Sequence, residues 1–126
     1  VVKMYERLGT VPVDKVMKAI AEGKPFEYEG IECSTVGNRL RTYHVYGLKC
    51  CVPDCAVHGQ YFAIERTCGP FDKYHLNLYC KLNGEEVMLT SDHKLPKSRG
   101  GSDRIENRQP MCYKHNFEKG NQLKYL

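Results

Sequence analysis

Apolar residues recur along this chain at two different spacings, and the change from one to the other marks its elements. Val13, Val16, Met17 and Ile20 fall three or four apart, with Asp14 near the start and Gly23 past the end. That pattern predicts a short amphipathic helix over Val13–Gly23. Phe26 and Tyr28 alternate with Glu27 and Glu29, which predicts an extended link from Phe26 to Ile31. Ser34 is placed to cap a second helix running to about Tyr46, with Val36, Leu40 and Tyr43 on one face and Gly47 at its end. Arg39 and Arg41 on that helix are expected to face solvent, with a phosphate as the alternative.

Past a cysteine-rich turn from Lys49 to Cys55 the period drops to two. Tyr61–Glu65 and His75–Leu82 read as strands with a turn at Gly69-Pro70 between them. Asn83-Gly84 is a hairpin signal that joins the second strand to Glu86–Thr90. Leu76, Leu78 and Cys80, together with Val87 and Leu89, should form one buried face. From Ser91 to Arg108 the chain is polar, carries Pro96 and Gly100-Gly101, and has no apolar period. A last short helix is expected from Cys112 to Lys119, closed by Gly120. With no internal repeat, low-complexity tract or dividing linker, the expectation is an α+β fold and a single domain over residues 1–126.

Composition narrows the classes. A chain of 126 residues fits one small domain, and 41% hydrophobic with 27% charged residues is ordinary for a globular protein. No apolar stretch approaches the ~20 residues that a membrane-spanning helix needs. The opening residues lack the pattern of a secretory signal, so an intracellular, cytoplasmic location is expected. Seven cysteines cannot all pair, and in a reducing compartment clustered thiols more often bind metal. Net charge is +4, and its location matters: residues 91–126 carry eight Lys+Arg against four Asp+Glu, while residues 1–90 balance. The excess therefore sits in the last 36 residues, a solvated surface that argues for a polyanion only if a site lies beside it.

Two short pairs have the spacing of metal chelates, Cys51-x3-Cys55 and Cys112-x2-His115. Ligands two to four residues apart bend onto one ion, and a tetrahedral structural Zn²⁺ would tie the cysteine turn to the last helix. Cys50 competes with Cys51 for the first position. Cys33, Cys68 and Cys80 are expected as small core residues. Lys97 and Arg99, in the basic segment, and Lys119 are the candidates for phosphate contacts. His44, His58 and His75 are expected to be structural or exposed.

The second constellation is Asp92-His93-Lys94-Leu95-Pro96-Lys97-Ser98-Arg99-Gly100-Gly101, then Glu106-Asn107, then Cys112-Tyr113-Lys114-His115-Asn116-Phe117-Glu118-Lys119-Gly120. The pattern Asp-His-x2-Pro-x-Ser-x-Gly-Gly, then Asn, then Cys-x2-(Cys/His)-Asn-x2-Lys-Gly resembles the HNH endonuclease family, of the kind common in phages. The resemblance covers roughly residues 34–121. It implies a ββα-metal fold with structural zinc, a catalytic core at about 86–121 within a nuclease region 34–126, and leaves 1–33 as an accessory segment.

The resemblance further implies roles. His93 would be the general base; an imidazole of pKa about 6.5 offers a neutral nitrogen at physiological pH. Asp92 and Asn116 would hold a catalytic Mg²⁺ or Mn²⁺, to which two oxygen ligands are suited. Asn107 would brace the loop and position the base. The motif reads H-N-N, with His115 taken as the zinc ligand and the alternative that it supplies the third catalytic letter. Two features fit less simply. Neighbours on a regular strand point to opposite faces, so a twist would be needed to bring Asp92 and His93 to one metal. Pro110 cannot donate to the ladder of the strand before the last helix.

The implied activity is metal-dependent hydrolysis of DNA phosphodiesters, leaving 5′-phosphate and 3′-hydroxyl ends. One site cuts one strand, so a monomer should nick, and a double-strand break calls for a homodimer or two visits. The alternative is a catalytically silent module on the same fold that binds nucleic acid or a protein partner.

Overall fold

The computed structural model describes residues 5–67 and 72–126. The first helix, α1, spans Val13–Glu22 and buries Val16, as the apolar spacing predicts; Gly23 closes it, its N–H turning back to the Ala19 and Ile20 carbonyls. The second, α2, spans Asn38–Tyr46 and starts later than a cap at Ser34 would have it. The Ser34 hydroxyl accepts the Val36 N–H at 3.2 Å, a local turn that competes with helix. Val36 consequently lies outside α2 and is 84% exposed, while Leu40 and Tyr43 are buried as expected.

The expected extended link is a hairpin. Strand β2 (Phe26–Tyr28) pairs antiparallel with β3 (Ile31–Cys33), and Glu29 and Gly30 between them both take positive φ, at 46° and 79°. Two such residues make the turn whose twist matches its strands.

A further strand has no counterpart in the periodicity. β1, Tyr5–Pro12, pairs with β4, Tyr61–Thr67, with a register shift between Arg7 and Gly9 that breaks the alternation. Gly9 leaves room there for the Tyr28 hydroxyl of the small hairpin, which would have to shift to admit a Cβ.

β5 (His75–Leu82) and β6 (Glu85–His93) follow, joined at Asn83-Gly84 as predicted, and β7 spans Arg108–Cys112. The antiparallel order is β1-β4-β5-β6-β7. β6 changes partner along its length. Glu85–Met88 pair with β5, and Leu89–His93 pair with β7. The polar run after Thr90 is therefore strand as far as His93, held by β7 rather than by an apolar face. The last helix, α3, spans Tyr113–Lys119.

Pro110 fits β7 because of which side it faces. Its carbonyl accepts the Cys51 N–H at 2.8 Å. The N and O of one strand residue point the same way, so the Pro110 nitrogen also faces away from β6 and the ladder loses nothing.

Val16 of α1 and Leu40 and Tyr43 of α2 share one core with Phe62, Ile64, Leu76, Leu78, Leu89 and Met111. The Tyr43 hydroxyl donates to the Leu89 carbonyl at 3.1 Å, and burial pushes its pKa up to about 12. Cys33 and Cys80 are buried thiols, as expected; Cys68 and the Gly69-Pro70 turn lie outside the described residues. Away from this core, Arg7 of β1 reaches Glu65 of β4 at 2.8 Å and Glu86 of β6 at 2.9 and 2.7 Å. Glu65 also accepts from Asn77 and Tyr79 of β5, so one polar network ties four strands together.

Candidate active site and metal centre

The cysteine turn is shaped by its backbone. The Cys50 N–H donates to Val57 O and the Cys55 N–H to Val52 O, which folds residues 50–57 back on themselves. The Sγ of Cys50 accepts the Cys112 N–H at 3.3 Å and lies 3.7 Å from Nδ1 of His115; the Cys112 Sγ is 3.2 Å from that same nitrogen. Among the described residues, Cys50, Cys55, Cys112 and His115 bring their ligand atoms within 4.8 Å of one another. Ligands about 2.0–2.3 Å from a tetrahedral zinc lie about 3.3–3.8 Å apart, so the cluster could close on such an ion with little movement.

The expected set changes at one position. Cys50, not Cys51, joins the cluster; Cys51 meets β7 through its backbone N–H. Burial pushes the Cys112 thiol up to about 12. It becomes a thiolate at neutral pH only if a cation takes the place of its proton.

One step along, the end of β6, α3 and the connecting loop enclose a cleft of about 250 Å³, lined by Ser91, Asp92, His93, Pro96, Lys97, Ser98, Asn116, Gly120 and Asn121. Three of the four residues expected to carry chemistry therefore share it. No register shift brings Asp92 and His93 there, since β6 and β7 stay in step to the last pair, His93 with Arg108. The two side chains part instead. Asp92 turns under α3, where its Oδ2 accepts from Gln109 at 3.0 Å and Lys119 at 2.8 Å. The Nε2 of His93 meets Oδ1 of Asp103 at 2.7 Å. The cleft lies at the strand end and takes atoms of both.

Asn116 donates from Nδ2 to the Thr90 hydroxyl at 2.7 Å, and that hydroxyl donates to Met111 O, which fixes how the amide is turned. Asn107 braces the loop with both ends of its amide: Oδ1 accepts the Leu95 N–H at 2.9 Å, and Nδ2 donates to Leu95 O and Ser102 O. A family model described as HNH endonuclease matches residues 78–122.

Residues 78–122 form an HNH endonuclease domain. No curated protein and no solved structure matches the chain. The family implies a nuclease function and contact with nucleic acid. No helix among the described residues is long and apolar enough to cross a membrane. Cys50 and Cys55 lie outside the matched span, so half of the thiol–imidazole cluster reaches the HNH domain from earlier in the chain.

Within the HNH domain the three basic candidates divide. Lys97 lines the cleft, is well exposed and pairs with Oδ2 of Asp103 at 3.0 Å. Arg99 is exposed but directs its Nε to Asn121 O at 2.7 Å. Lys119 is not a surface contact. It is fully buried, donating to Asp92, to His93 O at 2.6 Å and to Lys94 O at 3.3 Å. A buried ammonium needs acceptors on every side, and three supply them. His44, His58 and His75 are exposed. Asp103 and Gln109 are the residues the sequence reading missed. The only sign of Asp103 was an acid standing inside a basic stretch.

The paired glycines serve this loop. Gly100 closes the 3₁₀ turn Lys97–Arg99, and a Cβ on Gly101 would fall on the Leu95 carbonyl, the group that Asn107 holds.

Proposed function

We propose that this protein is a metal-dependent endonuclease that hydrolyses DNA phosphodiester bonds and leaves 5′-phosphate and 3′-hydroxyl ends. The observation that supports this reading most is that Asp92, His93 and Asn116 line one cleft, with the exposed Lys97 beside them. A nick in one strand is the unit reaction, and double-strand cleavage needs a second protomer or a second visit.

The residues fit a divalent cation. Lys119 and Gln109 both engage Oδ2 of Asp92, which leaves Oδ1 for a metal, and Thr90 turns the Asn116 amide with its nitrogen spent. Asp92 and Asn116 would hold Mg²⁺ or Mn²⁺, whose charge would offset that gathering on the phosphate and leaving oxygen. His93 takes a proton from the water that attacks phosphorus, and Lys97 draws the scissile phosphate into the cleft. Asn107 keeps the loop between Leu95 and Ser102 in shape beside the base. The cluster of Cys50, Cys55, Cys112 and His115 would hold a structural Zn²⁺ that fixes α3, and with it Asn116, against the cysteine turn.

One observation favours a second reading. The Lys119 ammonium already compensates the Asp92 charge, as it would in a domain that binds nucleic acid without cutting it. A nicking assay on supercoiled plasmid separates the two. Cleavage with Mg²⁺ or Mn²⁺, abolished by EDTA and reduced about 10²–10⁴-fold in His93→Ala, is expected for the nuclease. DNA binding without cleavage under any divalent ion would replace it with the silent module. Duplex DNA, single strands and RNA assayed side by side define the substrate.

A further inference from the structure

We propose that Asp103 is the positioning residue for His93: its carboxylate holds the Nε2 side of the imidazole, which turns Nδ1 to the cleft as the proton-accepting atom. This rests on the nuclease reading above. The contact itself is a 2.7 Å hydrogen bond from Nε2 to Oδ1. A neutral imidazole has one N–H, and a carboxylate only accepts, so this bond selects the tautomer protonated at Nε2. Among the described residues no hydrogen bond occupies Nδ1.

Asp103 is held more firmly than its exposure suggests. Its backbone carbonyl accepts from Asn38 Nδ2 of α2 at 2.8 Å and from Arg108 Nε at 3.0 Å. Its Oδ2 takes the Lys97 ammonium at 3.0 Å, and its Oδ1 also meets Arg108 at 3.3 Å. The preceding carbonyl, Ser102 O, accepts from Asn107 at 2.8 Å. The motif asparagine thus reaches the base through one intermediary: Asn107 fixes Ser102, Ser102 carries Asp103, and Asp103 turns His93. The same linkage explains why α2, outside the HNH match, sends Asn38 to this loop.

In the reaction, an O–H bond of the attacking water breaks as its proton bonds to Nδ1. The hydroxide oxygen bonds to phosphorus while the bond from phosphorus to the 3′ oxygen breaks, and that oxygen takes a proton from solvent. His93 is left an imidazolium with both nitrogens protonated, and the Asp103 carboxylate, still at Nε2–H, stabilises that charge. An orienting acid of this kind acts on turnover more than on substrate binding.

The experiment pairs ¹⁵N-imidazole NMR of the full chain with nicking kinetics, at a pH where the histidines are neutral. His93→Gln identifies the His93 signals. The expected wild-type spectrum has Nε2 protonated, and Asp103→Ala should shift His93 to a mixture of tautomers. Turnover on plasmid should fall about 10²-fold in that variant with KM changed less than about threefold. Asp103→Glu, which restores a carboxylate, should recover part of both. An unchanged tautomer in Asp103→Ala overturns the proposal, and so does unchanged turnover. The tautomer measurement stands whether or not the wild-type protein cuts DNA, so failure of the nuclease reading is told apart from failure of this one. Should Asp103→Ala not fold, Asp103→Ser gives the same readout.

Discussion

Lys119 of α3 donates to Oδ2 of Asp92 on β6 across 2.8 Å, and the two side chains are 0% and 6% exposed. The bond pins the helix that carries Asn116 to the strand that carries His93. Because the same ammonium donates to His93 O and Lys94 O, it also satisfies carbonyls at the strand end, where the ladder stops.

Lys119→Met should therefore destabilise the fold by about 3 kcal/mol, since it leaves a buried carboxylate with only Gln109 as partner. Urea unfolding measures it. The double variant Lys119→Met with Asp92→Asn should recover part of that loss, because the unpaired charge is then gone.

Metal content should distinguish adjacent cysteines. Cys50→Ser is expected to lose bound zinc and Cys51→Ser to keep about one ion per chain, with metal analysis and Co²⁺ absorption as the checks. Chelation of the wild-type protein should lower Tm, because the cluster joins residues 62 positions apart. Retention of zinc by Cys50→Ser would return Cys51 to the ligand set.

Gly101→Ala should cost about 1–3 kcal/mol, since the added methyl overlaps the Leu95 carbonyl and can be relieved only by moving backbone. Thermal unfolding tests the cost. The nicking rate should fall with it, because Leu95 and Asn107 are bonded to each other on both sides of their amides.

Asp103 should titrate low. Hydrogen bonds from His93 and then Lys97 hold its carboxyl at about 2, against an ordinary value of 3.8. A depressed carboxyl contributes stability above its ordinary pKa and loses it as pH falls through the folded value. The contacts should therefore still be formed at pH 3, while the stability they contribute is full above about pH 3.8 and is lost progressively as pH falls to about 2. Carboxyl ¹³C NMR follows this directly, and a midpoint near 3.8 would contradict it.

The elements that could be read from the chain were those whose signals are local. Val13, Val16, Met17 and Ile20 mark α1, and Asn83-Gly84 marks the β5–β6 hairpin, because a helix face and a two-residue turn are specified within a few positions. β1 escaped because its register shift near Gly9 breaks the period, and because five of its eight residues are exposed. The alternation of Phe26 and Tyr28 showed β2 as extended, but the pairing with β3 escaped because Glu29-Gly30 is not one of the usual two-residue hairpin signals. Asp92, His93, Asn107 and Asn116 were legible as a motif, while their contacts were not.

The sequence by itself determined the residue types and spacings of the site, from the Asp-His pair to the chelating pairs, along with the positive charge around them. Tertiary structure decided that Cys50 faces Cys112, that Lys119 goes inside rather than to a phosphate, and that Asp103 meets His93. The physical reason is the same in each case. Periodicity and turn chemistry act between near neighbours. The partner of a thiol, an ammonium or an imidazole is set by which distant backbone the fold delivers beside it, and those partners lie 62, 27 and 10 residues away.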